Sequence, residues 1–264
     1  MTDQVPVLLE RLGHVALITL NRPEQRNGMT PDLLDAFANT IQLVAKQTDL
    51  RCVVITGRGP SFCAGADFRA DIQRPDDGAG RVSAERSYAM YKPFLSILDI
   101  EVPVIAALQG HAVGGGFGLA LAADVRIANQ DSKYGANFAR IGLAPGMAIT
   151  YLLPRLIGVP RSTELLLTGR LFSGREGAEM ALFSKALPGD QVLQASLDLA
   201  QQIAANAPIT VRLTKKLIYQ NLQWNPRDAA WLESFAQAAT LQTEDVSEGT
   251  RALLEKRLPQ FQGC

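Results

Sequence analysis

The stretch Gln109-Gly110-His111-Ala112-Val113-Gly114-Gly115-Gly116-Phe117-Gly118-Leu119-Ala120-Leu121-Ala122-Ala123 decides how the rest of the chain is read. It follows an apolar run over 103–108 that reads as a buried strand. Three consecutive glycines, Gly114, Gly115 and Gly116, then lead into the apolar run 117–123, which reads as a buried helix. Glycine admits positive φ and lets a ligand come close to the backbone, because no Cβ stands in the way. The first N–H groups of a helix have no partner inside it, and the helix dipole makes that end mildly positive. Such a turn suits an oxygen that carries negative charge. Tight packing of a helix on a sheet accounts for the same glycines. A dinucleotide site does not, since no G-x-G-x-x-G can be threaded through the stretch and no acidic residue stands at the end of a following strand to hold a ribose.

Working outward, the chain has 264 residues, 47% hydrophobic and 20% charged, enough for a sizeable core in one large domain or one domain with an appendage. Lys+Arg and Asp+Glu are 26 each, and this zero balance argues against a generic nucleic-acid surface or a polybasic membrane patch. Three cysteines, Cys52, Cys63 and Cys264, lack metal-type spacing, and an odd number suits a reducing compartment. No signal-peptide pattern and no membrane-length apolar run is visible, so a cytoplasmic protein is expected.

In chain order, 5–9 and 14–20 read as strands joined at Leu12-Gly13. Thr30-Pro31 starts a helix in which Leu34, Phe37, Ile41 and Val44 recur at helical spacing. The β-branched run 52–56 is a buried strand, 57–68 a loop of small residues with Cys63 in it, and 69–83 a surface segment. A helix over 84–98, strands over 104–108 and 124–128, and a loop over 134–146 follow. Helices then dominate: 148–156, 161–168, a segment capped by Ser173, 191–206, 209–221, 227–242 and 247–257. A core over 1–200 with a helical region over 201–264 is expected.

Two glycine-rich loops, each after a buried strand and before a helix, are more specific than one. Phe62-Cys63-Ala64-Gly65-Ala66-Asp67, paired with Gly110-His111-Ala112-Val113-Gly114-Gly115-Gly116, resembles the crotonase (enoyl-CoA hydratase/isomerase) superfamily. Leu20-Asn21-Arg22-Pro23 through Arg26-Asn27, Leu143-Ala144-Pro145-Gly146, and the ending Ser247-Glu248-Gly249 through Leu254-Glu255-Lys256-Arg257 extend the resemblance over nearly all of the chain. It implies an α/β fold, a crotonase/ClpP-like spiral of strand-strand-helix repeats with a C-terminal helical trimerisation region. It also implies a homotrimer or a dimer of trimers. Coenzyme A thioesters are the implied substrates, with no tightly bound cofactor and no metal. By motif position the oxyanion hole would be the N–H groups of Ala66 and Gly115, and losing one such donor costs about 10²–10³ in rate. The backbone of Ala64, Asp67 and Phe68 would receive the adenine end, and Arg22 and Arg26 would lie near the cofactor phosphates. A helix cap is the competing role for Asp67, and plain solvation for the arginines.

The sequence departs from this family at the proton-transfer positions. Hydratases of the family use two glutamates for acid–base work. By alignment of motifs these fall at Gly118 and Phe138, and the places that carry a carboxylate in other family reactions are Pro145, Gly146 and Met147. Gly114, Gly118 and Phe138 would line the substrate pocket, and the ring of Phe138 would make it drier. His111, Asn137 and Arg140 are candidates to replace the missing groups, with a structural hydrogen bond the competing role for His111. Asp71, Glu85, Tyr88 and Tyr91 lie on a segment that could reach in, whereas Asp124 reads as structural. A Ser-His-Asp hydrolase is disfavoured, because the only histidines are His14 and His111 and Ser61 has no nucleophile-elbow context. The leading readings are an enzyme working through a thioester enolate and a protein that binds acyl-CoA without converting it; a scaffold with no ligand is the least favoured third.

Overall fold

The computed structural model describes residues 5–66 and 84–264. The expectations for Asp67, Phe68, Asp71 and the surface segment 69–83 lie outside the described residues.

The chain opens with strands β1 (Val7–Leu12) and β2 (Val15–Leu20), paired antiparallel with Leu12 opposite Val15. The turn is therefore the two residues Gly13 and His14, with Gly13 at φ +62°. β1 sits further along the chain than the expected 5–9, because the ladder runs right up to that turn. Helix α1 (Pro31–Ala45) buries Leu33, Leu34, Phe37, Ile41 and Val44 on one face. Thr30 precedes it, but its hydroxyl donates to the Asp32 carboxylate and does not accept from the helix backbone.

Three strand pairs follow. β3 (Cys52–Gly57) and β4 (Ser61–Cys63) come before helix α2 (Ala84–Leu95), and β5 (Val104–Leu108) and β6 (His111–Val113) before helix α3 (Gly115–Ala122). β7 (Val125–Asn129) and β8 (Lys133–Gly135) are the third pair. The first strand of each pair joins a six-stranded sheet of order β1-β2-β3-β5-β7-β10, and the second joins a four-stranded sheet of order β4-β6-β8-β9. The remaining members are β9 (Phe172–Ser173) and β10 (Lys185–Leu187). Each turn of the chain thus adds one strand to each sheet, which makes the spiral. β3 and β5 are buried at every position, so they show no alternation of polar and apolar residues. β4, β6 and β8 have three residues each, too few to show a period; β4 and β8 correct the expectation of loops over 57–68 and 134–146. Cys63 accordingly lies in a buried strand, and burial pushes its thiol up to about 12, which makes it inert.

Helices α4 (Ile149–Ile157), α5 (Val159–Thr168) and α6 (Gly174–Glu179) follow, the last capped by the Ser173 hydroxyl, which accepts from the Glu176 N–H at 3.2 Å. Helix α7 (Gly189–Ala204) lays Val192, Ala200 and Ala204 on the large sheet, against Val15, Val54, Ile105 and Ile127. Helices α8 (Pro208–Asn221), α9 (Pro226–Thr240) and α10 (Glu244–Glu255) complete the chain. α8 is latched to the core by Lys215, whose ammonium donates to the carbonyls of Ile100 and Val102 at 2.8 and 2.9 Å and pairs with Asp124 at 2.8 Å. Asp124 also accepts from the Val104 N–H and the Tyr219 hydroxyl, both at 2.6 Å, so it is structural. Among the described residues no helix is long and apolar enough to cross a membrane.

Candidate active site

The site is built on the first turn of α3. All eight residues of this helix are buried, so it is apolar all round, packed on β4 and β6 of the four-stranded sheet and against α2 and α4. Gly116 permits this: a Cβ there would overlap the carbonyl oxygen of Cys63 and come within 2.6 Å of its carbon. Gly114 has φ +56°, and its N–H donates to the Gly135 carbonyl at 3.0 Å. The Gly114 carbonyl accepts from the Gly118 N–H at 3.1 Å. In a trans peptide the C=O and N–H point opposite ways, so the Gly115 N–H points out of the start of the helix.

The second loop meets the first at this point. Gly65 has φ +83°, and a Cβ on it would lie 2.7 Å from the Val113 carbonyl oxygen and 3.0 Å from the Gly115 nitrogen. The Gly65 carbonyl accepts from the Met29 N–H at 2.9 Å, and the Ala64 N–H donates to the Arg26 carbonyl at 3.0 Å. By the same trans-peptide geometry, the half-buried Ala66 directs its N–H away from Met29. The segment that holds this loop is itself clamped by Asn27, which is fully buried at φ +52°. Its side-chain oxygen accepts from the Arg22 N–H at 2.8 Å, and its amide donates to the carbonyls of Arg58 and Ser61 at 3.0 and 2.8 Å.

Three apolar side chains surround the turn. The side-chain direction of Gly114 faces the Phe138 ring at 3.7 Å and the Asn137 side-chain oxygen at 3.9 Å. That of Gly115 runs into the Met29 sulfur, and that of Gly118 into the Cβ of Met147, with its Cγ 3.1 Å away. Met29, Phe138 and Met147 are all buried. None of these neighbours ionises. Met147 and Ala148 have φ +56° and +53°, a left-handed pair that costs about 1–3 kcal/mol per residue. Just before them, Gly146 lies directly beneath the Tyr91 hydroxyl of α2, which leaves no room for a Cβ.

Of the residues singled out from the sequence, Ala64, Ala66, Gly114, Gly115, Gly118, Asn137 and Phe138 gather around these two loops. His111 does not join them: it is exposed on β6, and its Nδ1 accepts from the Lys133 N–H at 2.9 Å, tying β6 to β8. The stem of Arg140 lies over Gly169 at the end of α5, with Cγ–Cβ closeness of 2.7 Å were Gly169 to carry a Cβ. Arg22 is engaged with Asp32 at 3.0 Å. The Thr30 hydroxyl, with Arg22 beside it, holds the Asp32 carboxyl below the usual carboxylate range. Arg26 is exposed, one residue before the Asn27 clamp. Tyr88 is exposed under the Lys92 ammonium, 5.2 Å from its ring centre. Asn27, Met29 and Met147 are not among the candidate site residues read from the sequence; Asn27 enters there only as the end of a matching segment, and Met147 only as a missing carboxylate.

A spiral of strand–strand–helix turns, with two glycine loops meeting at the N-terminus of a buried helix, defines a crotonase-fold protein. The chain belongs to the enoyl-CoA hydratase/isomerase family, whose profile matches residues 10–264. It is similar to an enoyl-CoA hydratase of Mycobacterium tuberculosis, 32% identical over 258 residues covering 97% of this chain and 96% of that protein. A short-chain-enoyl-CoA hydratase of Clostridium acetobutylicum is 31% identical over 252 residues, 95% of each chain. The crystal structure of enoyl-CoA hydratase from Bacillus anthracis superposes with a TM-score of 0.90 at 32% identity, covering 98% of this chain and 100% of that one.

Proposed function

We propose that the protein binds acyl-CoA thioesters and processes them through an enolate, with the N–H groups of Ala66 and Gly115 holding the thioester oxygen. The observation that carries this reading is the meeting of the two glycine loops, with the Gly65 side-chain direction 3.0 Å from the Gly115 nitrogen. Donors placed in advance where charge develops are the largest single source of rate in reactions of this kind. Coenzyme A enters as part of the substrate. Its adenine end would lie along the backbone from Ala64, and Arg26 is better placed than Arg22 to meet its phosphates, because Arg22 is engaged with Asp32.

Simple hydration is the least suited reaction. Water must be activated on one face and a proton delivered on the other, and the positions that match the family's glutamates are Gly118 and Phe138. Loss of a carboxylate from the α-carbon needs no such base. The carbon–carbon bond breaks, carbon dioxide leaves, the bond's electron pair passes into the thioester as an enolate, and solvent later supplies a proton to carbon. Met29, Phe138 and Met147 around the helix end keep that enolate dry, which strengthens its hydrogen bonds.

The same apolar surroundings favour the second reading, an acyl-CoA-binding protein with little or no turnover. Incubation with malonyl-CoA and with crotonyl-CoA separates the two. The first reading expects decarboxylation of malonyl-CoA ahead of crotonyl-CoA hydration. Binding without product supports the second, and faster hydration of crotonyl-CoA overturns the enolate-cleavage assignment. Trp231, Phe235, Leu241, Leu253 and Leu254 are exposed on α9, α10 and the turn between them, which supports assembly of the helical region into a trimer or a dimer of trimers.

A further inference from the structure

We propose that Met147 determines which acyl groups the site accepts, by filling the space that a side chain at position 118 would take. The inference rests on the reading above, in which the thioester oxygen is held at the Gly115 N–H. Gly115 and Gly118 are three residues apart and share one face of α3, about one helical turn along the axis. A carbonyl bound at the first therefore carries its α- and β-carbons to within reach of whatever covers the second. That cover is Met147: a Cβ on Gly118 would overlap the methionine's own Cβ and lie 3.1 Å from its Cγ.

The position is held by backbone, not by rotamer choice. Met147 is 1% exposed and left-handed, Ala148 after it is left-handed too, and Gly146 before it is pinned beneath the Tyr91 hydroxyl. A buried non-glycine residue kept in that conformation is the kind of outlier that accompanies ligand clamps. Glycine at 118 and methionine at 147 are complementary, since either position filled leaves no room at the other. The slot beside the acyl group therefore ends in a fixed Cβ and a movable thioether, which admits a straight chain and crowds a branched one.

The test is calorimetric binding of two saturated esters, butanoyl-CoA and 3-methylbutanoyl-CoA, to the wild-type protein and to Met147→Ala. The variant is expected to tighten the branched ester relative to the straight one by tenfold or more, the scale on which a pocket resolves one methylene. Met147→Leu, which conserves volume, should keep the wild-type ratio. Met147→Gly provides the same opening without left-handed strain, should Met147→Ala fail to fold. An unchanged ratio in the folded, truncated variant overturns the role of Met147 and leaves the functional reading standing. Failure of the wild-type protein to bind either ester overturns the functional reading itself.

Discussion

The N–H of Met29 donates to the carbonyl oxygen of Gly65 at 2.9 Å, and this one bond sets the direction of the next peptide N–H, that of Ala66. The short connection between β2 and α1 thus helps shape the candidate site. Met29 acts twice, since its sulfur also covers the side-chain direction of Gly115.

Asn27 keeps that connection in place, so Asn27→Ala should cost about 2–3 kcal/mol, the expected result of leaving buried carbonyls of Arg58 and Ser61 without a donor. Urea unfolding measures it. A loss under half a kcal/mol would mean that the clamp is not holding the loop.

Gly115→Ala and Gly116→Ala should differ sharply. The new methyl at 115 meets the Met29 sulfur, the far end of a flexible side chain, whereas at 116 it meets the Cys63 carbonyl, which is strand backbone. Thermal unfolding should show Gly116→Ala as the more destabilised by about 1–3 kcal/mol. Equal losses would contradict the close approach of α3 to β4.

Gly118→Glu tests the complementarity of positions 118 and 147 through stability. Alone it forces Met147 out of place and should cost about 1–3 kcal/mol. Adding Met147→Gly should return much of that loss, because the clash and the left-handed strain go together. Independent, additive costs in urea unfolding would show that the two side chains do not compete. For the same reason, carboxylates introduced at 118 and 138 are expected to give hydration of crotonyl-CoA only in a chain cut back at 147.

How much of this was legible in the sequence follows from the range of each signal. The hairpin, α1 and the C-terminal helices announce themselves by local period, the long parallel strands as unbroken apolar runs, and the two glycine loops by composition. β4, β6 and β8 do not, because three residues carry no period, yet they place Cys63 and His111 in strands. Asn27, Met29 and Met147 were illegible for another reason. The roles of Asn27 and Met147 depend on left-handed backbone, and those of all three on contacts with loops distant in sequence, so Met147 registers only as an absent carboxylate. His111 looked like a candidate because of its position in the glycine loop, but the pleat of β6 turns it outward to Lys133.

The C-terminal region should be acid-sensitive in a defined direction. The Glu248 carboxylate accepts from Arg257 at 2.6 and 2.9 Å and from the Gln260 N–H at 2.9 Å, and the Arg257 guanidinium, with that N–H, holds it down to about 2 from its ordinary 4.5. A depressed folded value means the stabilisation is complete above about 4.5 and is lost as pH falls toward 2. Protection of α10 amides against hydrogen exchange, taken relative to the intrinsic exchange rate at each pH, should therefore fall over that window, and Glu248→Gln should weaken that fall. Protection that is the same at both ends of the window in the unaltered protein would contradict the pairing.

The central claim is that two main-chain amides hold one thioester oxygen, and a crystal structure with bound butanoyl-CoA tests it most directly. The account predicts the carbonyl oxygen about 2.7–3.1 Å from the nitrogens of both Ala66 and Gly115. An ester bound with its carbonyl oxygen away from either nitrogen would contradict it.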